Sequence, residues 1–140
     1  MSTRSLIEQI LEQRRFAVTG VSRNPDKYGY LVYKHLKAAG YTVYAVNPNA
    51  DSVDGDVCYP TLDNIPDMID VVVTVTQPEV TESTIQTAGR LKIPYAWMQP
   101  GSESRAAYNL AQAFSVQAIS GGPCIRVAIA EHKNKPAEAV

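Results

Sequence analysis

The stretch that decides the fold is FAVTGVSRNPDKYGYLVYKHLKAAGYTVYAVNPN, residues 16–49. Its first apolar run, residues 16–21, predicts a buried strand that ends in a glycine turn. A helical pattern follows from Lys27 to Ala39 and closes at Gly40, a residue suited to end a helix. Residues 41–46 predict a second β-rich strand, which an Asn-Pro pair stops. Strand, helix and strand in this order predict a right-handed βαβ unit with parallel strands.

The rest of the chain repeats this alternation of strands and helices. Further strands are predicted at residues 57–59, 69–75, 95–98 and 116–119, and further helices over about 3–13, 79–90 and 103–114. We therefore expect a single doubly wound, Rossmann-like α/β domain over residues 1–140. Its sheet should be mostly parallel, with about five strands and helices on both faces. A polar C-terminal tail is expected over about residues 131–140.

Composition limits the classes of function. The 140 residues carry 13 Lys+Arg against 14 Asp+Glu, a net charge of −1, which argues against a nucleic-acid or polybasic membrane binder. Apolar runs fall far short of the roughly 20 residues that span a bilayer. Glu8 and Glu12 interrupt the first apolar segment, so no secretory signal is expected. Cys58 and Cys124 are too few for a disulfide framework. We expect a cytoplasmic protein with reduced thiols.

The loop after the first strand has the composition of a phosphate-binding loop. Ligands of doubly wound sheets bind at the carboxyl ends of the strands, where this loop lies. Gly20 permits a tight turn, Ser22 and Asn24 offer short polar side chains, and Arg23 and Lys27 add positive charge. The N-terminus of the following helix would complete a pyrophosphate site. The spacing departs from G-x-G-x-x-G, because a serine replaces the second glycine, so an ordinary polar turn stays an alternative.

The end of the second strand bears on which nucleotide fits. NAD-binding domains usually carry an Asp or Glu here, which hydrogen-bonds the adenosine ribose. This chain has Asn47 and Pro48, with no carboxylate before Asp51. A neutral residue near Arg23 would tolerate a phosphate on the ribose, as found in NADP and in coenzyme A. The other interpretation is that Asn-Pro only ends the strand.

The remaining loops show no catalytic pattern. Residues 76–79 and 99–103 contain no His, Lys or paired acids placed for proton transfer, and they are predicted to be walls of a binding groove. The two histidines have no partners at metal-ligand spacing, so no metal site is predicted. Cys124 follows a Gly-Gly-Pro turn. Burial without reactivity is the favoured interpretation of this cysteine, and a mixed disulfide with coenzyme A is the alternative.

Residues 14–126 resemble the small stand-alone CoA-binding domain proteins, which are similar to the N-terminal CoA-binding domain of the succinyl-CoA synthetase alpha subunit. The resemblance is carried by G-x-S-R-N-P-x-K-x-G at residues 20–29 and GY-x-VY-x-VNPN at residues 40–49. In this family the two segments hold the CoA phosphates and adenosine. The contacts that the resemblance implies are Gly20, Val21, Ser22, Arg23, Asn24, Lys27, Tyr28, Gly29, Val46, Asn47, Pro48, Val75, Thr76, Gln77 and Gln99.

One loop departs from the family pattern. After the fourth predicted strand the family commonly has Arg-Pro, whereas this chain has Thr76-Gln77-Pro78. The resemblance implies binding of coenzyme A or an acyl-CoA, and it implies no catalysis, because the phosphohistidine domain of the synthetase has no counterpart in this sequence. Two alternatives stay open at this point: an NADP-dependent oxidoreductase module, and a ligand-free Rossmann-like domain for interaction or regulation.

Overall fold

A computed structural model describes residues 2–133 of the chain as one sheet flanked by helices. The strands are β1 (Arg15–Thr19), β2 (Thr42–Val46), β3 (Ser52–Val53), β4 (Asp56–Tyr59), β5 (Val71–Thr74), β6 (Tyr95–Met98) and β7 (Gln117–Ser120). The helices are α1 (Thr3–Leu11), α2 (Tyr28–Ala38), α3 (Pro78–Arg90), α4 (Arg105–Ala113) and α5 (Ile125–Lys133), with a 3-10 turn at Leu62–Asn64. None of the helices in this part of the chain is long and apolar enough to cross a membrane.

The strand order is β3-β4-β2-β1-β5-β6-β7. All neighbouring strands are parallel except β3 and β4. The chain leaves the central strand β1 in one direction and later returns to β5 on its other side, which makes the gap between β1 and β5 the topological switch point. Ligands of open α/β sheets bind outside the carboxyl ends of the strands at this point. The predicted fold class, a doubly wound and mostly parallel α/β sheet, is confirmed.

Two hydrophobic cores cover the two faces of the sheet. Side chains alternate along each strand, so Phe16 and Val18 pack with α1, α2 and α5, whereas Ala17 between them packs with α3 and α4. In β6 the fully buried Trp97 faces the first core, and its neighbours Ala96 and Met98 face the second. Burial on both faces explains why β1, β5 and β6 consist largely of apolar runs.

The sheet has seven strands rather than about five. The additional strands belong to an antiparallel hairpin, β3–β4, at one edge. Its turn residues Asp54 and Gly55 have φ values of 54° and 81°, which suits a two-residue hairpin turn. The sequence predicted the turn and a short strand at residues 57–59. It did not predict β3, because two residues carry no periodic pattern.

The fifth helix, α5, was not predicted from the sequence, and its last residues overlap the tail expected over about residues 131–140. Ile125, Ala128 and Ile129 face the first core from α5, at the i, i+3, i+4 spacing of an amphipathic helix. Residues 134–140 of the predicted tail lie outside the described residues. By contrast, Gly40 ends α2 as predicted: its φ is 96°, the left-handed conformation that glycine adopts readily.

Candidate functional site

A cleft of about 410 Å³ opens at the carboxyl ends of β1, β2, β4 and β5, at the switch point of the sheet. Such a volume lies within the range of small-molecule sites, about 300–1,000 Å³. The structure brings six of the residues predicted from the sequence into its lining: Gly20, Val46, Asn47, Pro48, Thr76 and Gln77. The cleft lining contains no acidic, basic, cysteine or tyrosine side chain. These walls can therefore enclose and hydrogen-bond a ligand, but they offer no acid or base for proton transfer.

One wall of the cleft was missed in the sequence. Val80, Ser83, Thr84 and Thr87 line the cleft from α3, and residues 60–62 face it from the end of β4. The four α3 residues share one helix face, at i, i+3, i+4 and i+7. This spacing is present in the sequence and could have indicated a shared helix face. Small hydroxyl side chains on a helix are more often solvated surface than ligand contacts, and for that reason this face did not stand out.

Two glycines allow backbone segments to meet beside the cleft. Gly20 has a φ of 86°, and a Cβ placed there would lie 2.4 Å from the carbonyl oxygen of Val75. Gly29, buried in the first turn of α2, would place a Cβ 2.2 Å from the carbonyl oxygen of Gly20. Both distances are shorter than van der Waals contact permits. The end of β1, the loop after β5 and the start of α2 thus touch directly because neither position carries a side chain.

The loop between β1 and α2 is braced by its own side chains. Ser22 Oγ accepts a hydrogen bond from the Asn24 backbone N–H (3.0 Å), and Asn24 Oδ1 accepts one from the Asp26 N–H (2.9 Å). The carbonyl of Asn24 also accepts from the Lys27 N–H (3.0 Å). Ser22 and Asn24 were predicted as ligand donors. Their acceptor oxygens serve the turn, which fixes the shape of the loop before any ligand arrives.

The N-terminus of α2 carries positive charge and no side-chain cap. Lys27 is its N-cap residue and makes no capping hydrogen bond, and the first turn contains no acidic residue. Arg23 and Lys27 are exposed, and neither forms an ion pair with any other residue between positions 2 and 133. Unpaired N–H groups, the helix dipole and two cations together make this end of α2 attractive to anions.

Asn47 connects the two predicted ligand loops. Its Nδ2 donates to the carbonyl oxygen of Val21 (2.7 Å), and its Oδ1 accepts from the backbone N–H of Asn49 (2.8 Å). Its own backbone N–H donates to the carbonyl oxygen of Tyr59 (2.9 Å). The side chain predicted to select the nucleotide therefore fastens the turn after β2 to the loop after β1, at the rim of the cleft.

Tyr28 and Gln99, also predicted site residues, meet away from the cleft lining in a cluster with Cys124. The Tyr28 hydroxyl donates to Gln99 Oε1 (3.2 Å) and contacts Cys124 Sγ. The backbone N–H of Ile125 donates to the same Gln99 oxygen (2.9 Å). Burial and, to a smaller extent, the hydrogen bond with Cys124 raise the pKa of the Tyr28 hydroxyl. The hydroxyl therefore stays protonated near neutral pH. We refer to these three side chains as the Tyr28–Gln99–Cys124 cluster.

The cysteines differ in environment. Cys58 is buried in β4, and burial raises the pKa of its thiol. Cys124 is only partly buried, so its expected burial is wrong. It borders an open, mostly apolar groove formed with residues of α2 and α5. Across positions 2–133, no group of three or more His, Cys, Asp or Glu side chains is placed to hold a metal ion.

Residues 14–130 match the family model described as the CoA binding domain. The chain belongs to this family. The match spans β1 to α5 and therefore includes the cleft, the loop after β1 and the Tyr28–Gln99–Cys124 cluster. The resemblance identified in the sequence is confirmed.

Individual relatives of this CoA-binding-domain protein are of two sizes. The uncharacterized protein YneT of Bacillus subtilis is 30% identical over 105 residues, covering 74% of this chain and 78% of YneT. ADP-forming acetate–CoA ligase I of Archaeoglobus fulgidus is 31% identical over 84 residues, covering 60% of this chain but only 12% of the ligase. A conserved hypothetical protein of Pyrococcus furiosus with a solved structure is 35% identical, with a TM-score of 0.77 over 82% of this chain and 98% of that one. The family thus occurs both as small chains and as one part of large ligases.

Proposed function

We propose that this protein binds coenzyme A or an acyl-CoA at the switch point of its sheet and catalyses no reaction of its own. One observation carries the proposal: the uncapped, positively charged start of α2 stands beside the cleft, in a chain that belongs to the CoA binding domain family. The acetate–CoA ligase of Archaeoglobus fulgidus matches 60% of this chain, and this match supports CoA as the ligand here.

The phosphates of the ligand are assigned to the loop after β1. The backbone N–H groups at the start of α2 would receive the pyrophosphate, and Arg23 and Lys27 would supply charge-assisted hydrogen bonds. Gly20 and Gly29 contribute by keeping this turn close to the end of β5, because neither places a Cβ between the backbone segments that meet there. Val21 and Val75 contribute backbone to the same junction.

The adenosine is assigned to the cleft. Val46, Pro48 and Val80 would give it apolar contacts, and the hydroxyl face of α3 would give it hydrogen-bond partners. No carboxylate lines this cleft, so a phosphate on the ribose meets no repulsion from it. The pantetheine arm would then pass from the start of α2 towards Gln99 and Tyr28.

The proposed ligand and the two thiols support a proposal for the compartment. Cys58 and Cys124 form no disulfide with one another. Free thiols suit a reducing compartment, and we therefore propose the cytoplasm as the site of action. No proton-transfer group lines the cleft, and this favours binding over the oxidoreductase alternative.

The test is a side-by-side measurement of thermal shifts with CoA, 3′-dephospho-CoA, NADP and NAD. A ligand at about 100 times its Kd stabilises the protein by roughly 2.7 kcal/mol, which should raise the Tm by several degrees. We expect a shift with CoA, a smaller one with 3′-dephospho-CoA, and none with the dinucleotides. A shift with NADP alone would support the oxidoreductase module instead, and no shift with any of the four would support the ligand-free interaction domain.

A variant pair assigns the binding to the loop after β1. Arg23→Ala should lose roughly 1.5–3 kcal/mol of CoA affinity, the value of a charge-assisted phosphate contact, in calorimetry. Arg14→Ala is the matched control, because Arg14 precedes β1 and lies at the opposite end of that strand from Gly20. Equal affinities for both variants would remove Arg23 from the site.

A further inference from the structure

An open, mostly apolar groove of about 690 Å³ lies on the surface between α2 and α5. Its lining consists of His35 on the α2 side and, on the α5 side, Cys124, Arg126, Val127, Ala130 and Glu131. The face of α5 that packs into the protein is a different one, formed by Ile125, Ala128 and Ile129. The groove therefore lies outside the core, and core packing does not explain its apolar lining.

Val127 is the large apolar side chain of this groove. It is 53% exposed, although the two isoleucines of the same helix are buried. Ala130 follows it at i+3, on the same side of the helix. A hydrogen bond from Arg126 Nε to His35 Nδ1 (3.3 Å) joins the two walls. Long charged side chains cover apolar surface with their stems and keep their charges in water, so a groove of this kind suits an apolar chain.

The groove begins where the proposed ligand path ends. The pantetheine arm is assigned above to the path from the start of α2 towards Gln99 and Tyr28. The Tyr28–Gln99–Cys124 cluster and the groove share one residue, Cys124, which lines the groove and contacts the Tyr28 hydroxyl. A group attached to the far end of the arm therefore arrives at the groove.

A buried amide beside this junction points to a ligand with carbonyl groups. Gln99 is fully buried, and its Nε2 has no hydrogen-bond partner within residues 2–133. The orientation of this amide is fixed, because the Ile125 N–H can only donate and must face Oε1. Buried amide N–H groups without an acceptor are rare and costly in folded proteins. The arm of an acyl-CoA carries amide carbonyls and a thioester carbonyl, and thus supplies an acceptor.

We propose that the groove between α2 and α5 holds the acyl chain of an acyl-CoA, and that this chain is apolar and of medium length. This inference rests on the CoA binding proposed above, and it makes acyl-CoA the preferred ligand over free CoA. The part-buried Tyr28 side chain would shift, so that a carbonyl of the arm reaches Gln99 Nε2. The chain is held by contact alone, and no covalent bond to the protein forms.

The length of the groove sets the length of the chain. Its lining on α5 runs from residue 124 to Glu131. Seven residues of helix span about 10 Å, which a zigzag chain of roughly eight carbon atoms with bonds of about 1.5 Å covers. Burial of such a chain removes apolar surface from water, and so does the covering of Val127.

The first test is a chain-length series in calorimetry with the full chain: CoA, acetyl-CoA, butyryl-CoA, octanoyl-CoA and dodecanoyl-CoA. Full burial of one CH₂ group tightens binding about fourfold, and an open groove covers only part of the chain, so about twofold per carbon is expected. Octanoyl-CoA should therefore bind roughly 50-fold more tightly than acetyl-CoA. Dodecanoyl-CoA should gain little more, because its last carbons extend past Glu131.

Succinyl-CoA tests the chemistry of the chain. It has the four acyl carbons of butyryl-CoA, but its chain ends in a carboxylate. We expect it to bind more weakly than butyryl-CoA, because the groove would desolvate the charge. Tighter binding of succinyl-CoA would indicate a carboxylate paired with Arg126, and would overturn the assignment of an apolar chain.

A set of variants locates the chain. Val127→Asn removes the exposed apolar side chain without adding charge, and should reduce the ratio of octanoyl-CoA to acetyl-CoA affinity about fourfold, the value of one buried CH₂ group. Ala130→Trp, which fills the groove, should reduce this ratio as well. Val57→Asn is the matched control, since Val57 is 63% exposed on β4, near the edge of the sheet. It should keep the full ratio.

Different failures have different meanings. Equal affinities for CoA and for every acyl-CoA would overturn this inference and leave the proposed function intact. A gain with chain length that both Val127→Asn and Ala130→Trp retain in full would place the chain outside the groove, and would overturn the inference as well. Absence of binding by CoA and by all acyl-CoAs would overturn the proposed function together with this inference.

Discussion

The side-chain amide of Asn47 donates a hydrogen bond of 2.7 Å to the carbonyl oxygen of Val21, 26 positions earlier in the chain. This bond joins the turn after β2 to the loop after β1. In the proposed complex those segments hold the adenosine and the phosphates of one ligand. Their separation is therefore set in the protein by Asn47, before a ligand binds, and preorganisation of this kind lowers the entropic cost of binding.

Replacing Asn47 with alanine should weaken both CoA binding and the fold. The change removes two hydrogen bonds made by a half-buried side chain, each worth about 0.5–1.5 kcal/mol. We expect calorimetry to show a loss of CoA affinity of about tenfold and a decrease in Tm of several degrees. Asn109→Ala, on the exposed side of α4, serves as the control. Unchanged CoA affinity in Asn47→Ala would mean that the spacing of the loops does not depend on this amide.

Replacing Gly29 with alanine should destabilise the protein. The new Cβ would lie 2.2 Å from the Gly20 carbonyl oxygen, so α2 must move away from β1. Overpacking of this kind costs about 1–3 kcal/mol, measurable by urea unfolding. Gly40→Ala is an informative comparison, because no atom lies within 4 Å of its Cβ position and only the φ of 96° opposes the substitution. A Gly29→Ala protein as stable as the wild type would refute the close contact between α2 and β1.

The sequence predicts the parts of this molecule that depend on local pattern. The buried strands show as apolar runs because both faces of the sheet are covered, and the start of α2 shows as a cluster of glycine, cations and small polar residues. The hydrogen bonds of Ser22, Asn24 and Asn47 to backbone groups cannot be predicted from such a local sequence pattern. The residue type of a polar side chain in a turn does not reveal whether that side chain hydrogen-bonds the backbone or a ligand.

Contacts between distant parts of the chain are the other class that the sequence does not predict. Tyr28 and Cys124 are 96 positions apart, and only the crossing of α2 and α5 brings them together. Sequence spacing gave no reason to associate a residue of the phosphate loop with the Gly-Gly-Pro-Cys turn. The α3 wall of the cleft was missed for a related reason, since hydroxyl side chains on a helix have the same pattern on a solvated surface as opposite residues 60–62 in a cleft.

A pH-dependent contribution to stability is expected from Asp56 in the β3–β4 hairpin. Its carboxylate accepts hydrogen bonds from Lys37 and from the Tyr33 hydroxyl (2.6 Å). The hydrogen bond from Lys37 and, to a smaller extent, the one from Tyr33 lower the pKa of the Asp56 carboxyl. A lowered folded-state pKa adds stability above the unfolded-state pKa, about 3.9, and this stability is lost as the pH falls through the folded-state value.

The variant Asp56→Asn should therefore be less stable than the wild type at pH 7 and similar to it in strong acid. The carboxylate is substantially exposed, so solvent screening limits the difference at neutral pH to about 0.2–1 kcal/mol. Denaturant unfolding of both proteins between pH 2 and pH 7, about the span of the titration, measures it. Asp51→Asn, for an exposed carboxylate with no ion pair to the described residues, is the control. A gap that persists at the acid end would indicate lost packing and not lost charge.

The loop after β5 offers a gain-of-affinity test of the proposed function. Gln77 stands where the resemblance to the CoA-binding domain proteins implies an arginine before the proline, and here it lines the cleft as the exposed N-cap residue of α3. Its side chain makes no capping hydrogen bond, so no described contact is lost when it is replaced. Gln77→Arg would place a cation in the cleft assigned to the adenosine, where it would face the phosphate on the ribose of CoA. A charge-assisted contact is worth about 1.5–3 kcal/mol, so CoA should bind at least about tenfold more tightly in calorimetry, with a steeper dependence on salt.

The salt dependence separates the new ion pair from improved apolar packing, for which Gln77→Met is the control variant. If Gln77→Arg and Gln77→Met bind CoA equally, the ribose phosphate of the ligand does not face this loop.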